Sequence, residues 1–187
     1  LGEFLVEGVV PINNALAARW PVRAVVCDRG RVLSGWARDV LERCGEAARV
    51  MMSRELLEEI SDKEEPSELL LVVEMRDASL SALAAAPMTV VLDRPSSPGN
   101  VGSIIRSCSA FACGGVVLLG HAADPYDPHA VRASLGALFS VPLVVNPSSA
   151  ELLEWLAGSR ATAPGLQVVG ADPGGTVGRA STFGELA

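Results

Sequence analysis

Lysine is almost missing from this chain: Lys63 is the single one among 15 basic residues. With it goes the lysine of a phosphate-binding P-loop, and no G-x-G-x-x-G marks a dinucleotide site. Four cysteines (Cys27, Cys44, Cys108 and Cys113) form no C-x-x-C pair, and two histidines give no metal-ligand spacing. Those thiols read as reduced core residues of a cytoplasmic protein, with no metal. No apolar run is long enough to span a bilayer and no signal-peptide pattern opens the chain, so no membrane partner is expected. An excess of positive charge is missing too. Net charge is −7 and the pI is near 4.8. That argues against DNA, or any nucleic acid, being coated through bulk charge, and leaves room for RNA at a local patch.

What the chain does have is apolar content: 49% of 187 residues. It can bury a sizeable core in one large domain or two small ones. It opens on Leu1 rather than Met, and is expected to be part of a longer product.

Residues 1–76 read as a small α/β domain. Strands are expected over Glu3–Val6, Val22–Cys27, Val50–Met52 and Leu69–Val73. Helices are expected from Pro11 to Arg19, after Ser34, and after Ser53. Residues 77–87 read as a linker with a short helix through Leu80 and Leu83. A second domain, 88–187, alternates strands with helices of about ten residues, which means a parallel sheet covered on both faces. Its further helices start at Asp127-Pro128 and at the Ser148/Glu151 capping box, the latter ended by Gly158. Its further strands are expected over Phe139–Val145 and Leu166–Val169. GADPGG, from Gly170, reads as a turn.

The chain is organised around VVLDRPSSPGNVGSIIRSCSAFACGGVVLLG, Val90 to Gly120. Val90 to Leu92 is a strand and Asp93 to Gly99 is turn chemistry. Ile104, Ile105, Cys108 and Phe111 then recur at helical spacing, and Val116 to Leu119 is a second strand. This βαβ unit puts Asn100, Ser103 and Arg106 where the first strand ends, the edge at which open α/β sheets bind ligands. Gly99 and Gly102 let backbone approach a ligand, and free N–H groups at the helix start favour an anion such as RNA phosphate. Arg106 can take such a phosphate bidentately. From spacing alone, the same arginine could equally pair with a surface carboxylate.

Asn100-Val101-Gly102 followed by Arg106 resembles the first signature motif of the SpoU (TrmH-like) branch of SPOUT-class RNA methyltransferases. RASLGALFSVPL, Arg132 to Leu143, is similar to that family's following segment. GEFLVEGVVPINNAL resembles the opening of the L30e-like RNA-binding domain that these enzymes often carry. The resemblance covers nearly the whole chain.

It implies a ribose 2′-O-methyltransferase that uses S-adenosylmethionine, acts on RNA (ribosomal rather than transfer RNA), and works as a homodimer in the cytoplasm. By position, Arg106 is the catalytic arginine and Asn100 shapes the site. The resemblance also implies a C-terminal trefoil knot that holds the cofactor. Two motifs build it, a glutamate-containing glycine loop and Ser-Leu-Asn, and neither occurs here. The chain is therefore expected to stop before the knot, with cofactor-binding residues lying beyond Ala187.

Ser103, Arg132, Arg94 and Arg23 complete the candidate RNA contacts. Each has an ordinary counterpart reading: Arg94 pairs with Asp93, Arg132 with a carboxylate on the helix surface, and Arg23 lies on a solvated face with Arg19, Arg29 and Arg31. His121 and His129 read as loop residues. Tyr126 reads as packed, with base stacking as its functional option. Two other functions stand beside the enzyme: an RNA-binding and dimerisation module without methyl transfer, and a different α/β enzyme whose glycine loop binds a nucleotide.

Overall fold

A computed structural model of the chain describes residues 2–83, 88–163 and 165–171. Two sheets organise it. The first has strands β1 (Glu3–Glu7), β2 (Val22–Asp28), β3 (Ala48–Met52) and β4 (Leu69–Glu74) in the order β1-β4-β2-β3. β4 runs antiparallel to both β1 and β2, and β2 runs parallel to β3. Helices α1 (Val9–Ala17), α2 (Gly35–Arg43) and α3 (Arg54–Ile60) make the connections. The second sheet is wholly parallel: β5 (Thr89–Asp93), β6 (Gly115–Leu119) and β7 (Leu143–Val145), in that order. Helix α4 (Pro98–Ala110) joins β5 to β6. Helix α5 (Pro128–Ala133) and a 3₁₀ turn at Ala137–Phe139 lead to β7.

Local chemistry explains the boundaries. Ser34 Oγ accepts from Ala37 N and caps α2. Ser97 caps α4 ahead of Pro98, and Asp127 caps α5 ahead of Pro128; proline suits a first turn because its missing N–H would have no helical partner there. α4 ends on a residue in the left-handed region, Ala112 at φ 51°, with Cys113 N donating to Cys108 O at 2.9 Å.

The pleat sorts side chains by face. Val25 and Cys27 of β2 join Leu69, Leu71 and Val73 of β4 in the main core, while Val26 and Leu70 meet Leu57 on the other face. The main core does not stop at the boundary between the sheets. Phe4 and Trp20 pack against Tyr126 and Phe139, with ring centroids 4.8 Å apart for Phe4–Tyr126 and 5.2 Å for Trp20–Phe139. The Tyr126 hydroxyl donates to Arg76 O. Tyr126 is thus a core residue, 5% exposed, and is not available to stack on a base.

Three sequence expectations need correction. Phe139–Val145 is not one strand: the 3₁₀ turn and Pro142 take the first part, and only Leu143–Val145 pairs. The helix starting at Ser149, α6 (Ser149–Thr162), runs through Gly158, because glycine costs a helix only about 1 kcal/mol. Residues 166–169 make a single bridge at Val168 rather than a strand. The GADPGG turn lies outside the described residues from its Asp172 onward, as do Pro87 and the last residues of the chain. α6 falls in a compact unit that begins at Ser149; both sheets lie in the unit that ends at Ser148.

Candidate functional site

The site grows from α4. Because the helix starts at Pro98 rather than after Gly99, Asn100 and Gly102 are helical, not loop residues. Asn100 N donates to the capping Ser97 Oγ, and Ser103 Oγ donates back to Asn100 O at 2.9 Å. The Asn100 side chain is exposed and has no hydrogen-bond partner among the described residues.

Gly102 has a packing role. A Cβ there would come within 2.2 Å of Ala130 O and 2.9 Å of Ala133 Cβ. The α4 backbone therefore rests directly on α5, and only glycine permits it. The close approach expected toward a ligand is made toward a neighbouring helix.

Helix geometry also separates the polar set. Asn100 and Ser103 stand at the carboxyl edge of β5. Arg106 lies six residues past Asn100, roughly 9 Å along the axis and roughly 120° round it. The three trace a stripe down α4 instead of meeting at one mouth.

Arg106 opens into a cleft of about 440 Å³. Asn14 of α1 forms one wall, and Ser109, Ser134, Gly136 and Ser140 are among the others. No carboxylate lines this cleft, and Arg106 has no hydrogen bond or ion pair among the described residues. Its walls offer a fixed cation, an amide and several hydroxyls. That set fits an anion such as phosphate. It does not fit S-adenosylmethionine, whose sulfonium and ammonium are themselves positive. Among those residues no group of three His, Cys, Asp or Glu side chains could hold a metal ion, and no helix is long and apolar enough to cross a membrane.

The other candidate arginines are engaged elsewhere. Arg94, at φ 47°, forms a two-bonded pair with Asp93, Nε to Oδ1 at 2.9 Å and Nη2 to Oδ2 at 2.8 Å. That hydrogen bonding lowers the Asp93 carboxyl and raises the Arg94 guanidinium from their ordinary pKa values. Arg132 Nη1 donates to Asp62 O at 2.9 Å and lies 2.9 Å from Asp62 Oδ2. His129 Nδ1 is 3.4 Å from the other Asp62 oxygen. Arg23 pairs with Glu74 and approaches Glu3 at 4.0 Å. His121 is an exposed residue after β6.

Sequence reasoning missed Asn14. It lines the Arg106 cleft and sends Nδ2 toward Leu135 O at 3.5 Å, against Gly136 at φ 88°. One signal was present: two adjacent asparagines inside an apolar helix, where asparagine is a poor helix former. Asn13 accepts from Trp36 Nε1 at 3.1 Å.

The architecture is that of the SPOUT methyltransferases. A crystal structure of the SpoU methyltransferase AviRb from Streptomyces viridochromogenes, in complex with the cofactor AdoMet, superposes with a TM-score of 0.79 at 45% identity, over 87% of this chain and 62% of that one. An AdoMet-bound rRNA methyltransferase from Sinorhizobium meliloti shares the fold at 23% identity, with a TM-score of 0.74 over 84% of this chain and 59% of that one.

Residues 87–180 match the SpoU rRNA Methylase family, and residues 1–72 match the SpoU L30e-like domain. The chain belongs to the SpoU rRNA methylase family. The 23S rRNA (uridine(2479)-2′-O)-methyltransferase of Streptomyces viridochromogenes is 45% identical over 177 residues, 93% of this chain and 61% of that protein. The chain thus spans about three-fifths of the length of that relative.

Proposed function

We propose that this protein takes part in methylating a ribose 2′-hydroxyl of ribosomal RNA. The observation that carries the proposal is the Arg106 guanidinium, unpaired and facing a cleft without a carboxylate, in a chain 45% identical to an enzyme of that activity. A ribose hydroxyl is a poor nucleophile. Arginine stays charged, so Arg106 does not accept the hydroxyl proton, which passes to water; it stabilises the oxygen that loses it, or holds the adjacent phosphate. Asn100 and Ser103 present polar groups to the same strand from the start of α4, and Arg94 stands beyond β5. Arg132 and Arg23 reach RNA only by releasing their carboxylates. S-adenosylmethionine, when bound, supplies an electrophilic methyl group.

In this proposal residues 1–76 act as the RNA-substrate domain, 77–87 as linker and 88–187 as the methyltransferase domain. The protein works in the cytoplasm as a homodimer, with each Arg106 serving a site shared across the interface.

The test is transfer of a labelled methyl from S-adenosylmethionine to ribosomal RNA, with the product mapped as an alkali-resistant linkage. In a longer protein that carries the cofactor pocket as well, Arg106→Ala should lower transfer at least about 100-fold, the scale of a lost charge partner, with the fold intact. Near wild-type turnover in that variant rejects the assigned role. Calorimetry on this chain should show weak or no S-adenosylmethionine binding; tight binding would place the cofactor pocket among residues 1–187.

A further inference from the structure

We infer that Cys108 and Cys113 are a site of reversible oxidation, a dithiol at the end of α4 that closes to a disulfide when a small-molecule disulfide reaches it. The inference stands apart from the RNA reading and rests on how α4 stops.

Two backbone bonds close the helix. Cys113 N donates to Cys108 O at 2.9 Å, and Ala112 N donates to Ser109 O at 3.2 Å. Ala112 takes a positive φ of 51°. This is the Schellman arrangement. It turns the chain back against the last helical turn and pairs two side chains, which ordinarily make an apolar contact. Here both members of that pair are cysteines.

The backbone also sets their separation. With N and O 2.9 Å apart and standard bond lengths, the two α-carbons lie within about 7 Å, the limit beyond which no disulfide bridges. Cys113 is held from its other side as well, where Gly114 N donates to Met88 O at 2.8 Å. The thiols sense one another. Burial pushes the Cys108 thiol up to about 12, and the charge of Cys113 and a hydrogen bond with it add to the rise. Cys27, in β2, and Cys44, at the end of α2, are joined by no such backbone bond, and Cys27 is the smallest of the influences on the Cys44 thiol.

Burial divides the work between the two sulfurs. Cys108 is 2% exposed and belongs to the main core, so a reagent in solution does not meet it. Cys113 is half-buried and packs against that core from its edge. The Cys113 thiolate attacks one sulfur of the small disulfide, whose S–S bond breaks, and one half leaves as a thiolate. Cys113 then carries no charge, which lifts its share of the rise at Cys108. The Cys108 thiol gives its proton to water, and its sulfur attacks the Cys113 sulfur and expels the second half. Two electrons pass from the protein to the reagent, and the two departing thiolates take up the two protons released. The bond closes the chain over Ser109 and Ala110, which line the Arg106 cleft, so it forms on the wall of that cleft.

The experiment treats the whole folded chain with oxidised glutathione, blocks the remaining thiols with N-ethylmaleimide in denaturant, and measures the masses of the tryptic peptides. Cleavage after Arg106 and Arg132 releases peptide 107–132, which carries Cys108 and Cys113 and no other cysteine. That peptide should lose two hydrogens, take up no maleimide, and regain both thiols in dithiothreitol. Cys108→Ser should stop with one glutathione on Cys113. Cys113→Ser should leave Cys108 a free thiol until the chain is unfolded. A wild-type peptide with maleimide on both cysteines overturns the inference. So does a wild-type chain that keeps glutathione on Cys113 without closing, and so does a link that joins two chains instead.

Discussion

The Trp20 indole N–H donates to the Phe139 carbonyl at 3.1 Å, a buried bond between residues 119 positions apart. Its donor lies just before the second strand of the first sheet and its acceptor just before the last strand of the second. The bond and the rings around it make one core from the two sheets. Trp20→Phe keeps an aromatic ring but leaves that carbonyl without this donor. Chemical denaturation should report a loss of about 1–3 kcal/mol, in one transition for the two sheets together. Two separate transitions in the wild type would show that the shared core does not couple them.

Gly102 and Gly99 predict opposite outcomes on one helix. Gly102→Ala drives a methyl group into the Ala130 carbonyl and should cost about 1–3 kcal/mol, with RNA affinity falling because α4 carries Arg106. Gly99→Ala meets nothing nearer than Ser97 Oγ at 4.0 Å and should be neutral or stabilising by up to about 1 kcal/mol. Equal effects on melting temperature would refute the packing account of Gly102.

Asp62 and Arg132 tie the loop after α3 to α5. Both are partly solvent-exposed, 21% and 56%, so the pair is worth little on its own. A double-mutant cycle should give a coupling of about 0.5–1 kcal/mol that shrinks as salt rises. Asp62→Asn weakens the ion pair and leaves Arg132 freer to turn outward. If Arg132 serves RNA, that variant should bind an RNA oligonucleotide more tightly than wild type; unchanged affinity confines Arg132 to holding the two sheets together.

Tyr126 predicts a loss of stability at high pH. Burial, then the charge of Asp77, pushes its phenol up to about 12. The unfolded phenol ionises near ~10. Between those values the folded state binds more protons than the unfolded one, so stability falls as pH rises. The loss should reach the order of 2 kcal/mol by pH about 12. Cys108, pushed to about 12 by burial and by Cys113, adds a loss of the same sign. Tyr126→Phe should remove the tyrosine part and leave the thiol part. Tyr126 is the single tyrosine, so phenolate absorbance reports it alone. Ionisation near ~10 in the folded protein would contradict its burial.

Local pattern carried much of the fold. Ser34 and Asp127 cap the helices they were expected to cap, because a cap is a contact between residues three or fewer apart. The βαβ unit was legible from apolar runs and its glycine stop. Asn100, Ser103 and Arg106 could be singled out by residue type and by a motif. Their spread along α4 could not, because two residues decided where the helix begins. Nor could the role of Gly102 be read, since a glycine near a polar motif looks the same whether a phosphate or a helix approaches it.

By itself the sequence determined the family and most of the element order, and it singled out Arg106 as a candidate, since each of these is written in short-range pattern. Tertiary structure decided which arginines remain free. Arg132 and Arg23 are chemically the same as Arg106. What separates them is whether a carboxylate from another part of the chain arrives within about 4 Å, where charge attraction outweighs the cost of holding a flexible side chain still. Such meetings join residues up to 70 positions apart, as at Asp62 and Arg132, and no window along the sequence contains both partners.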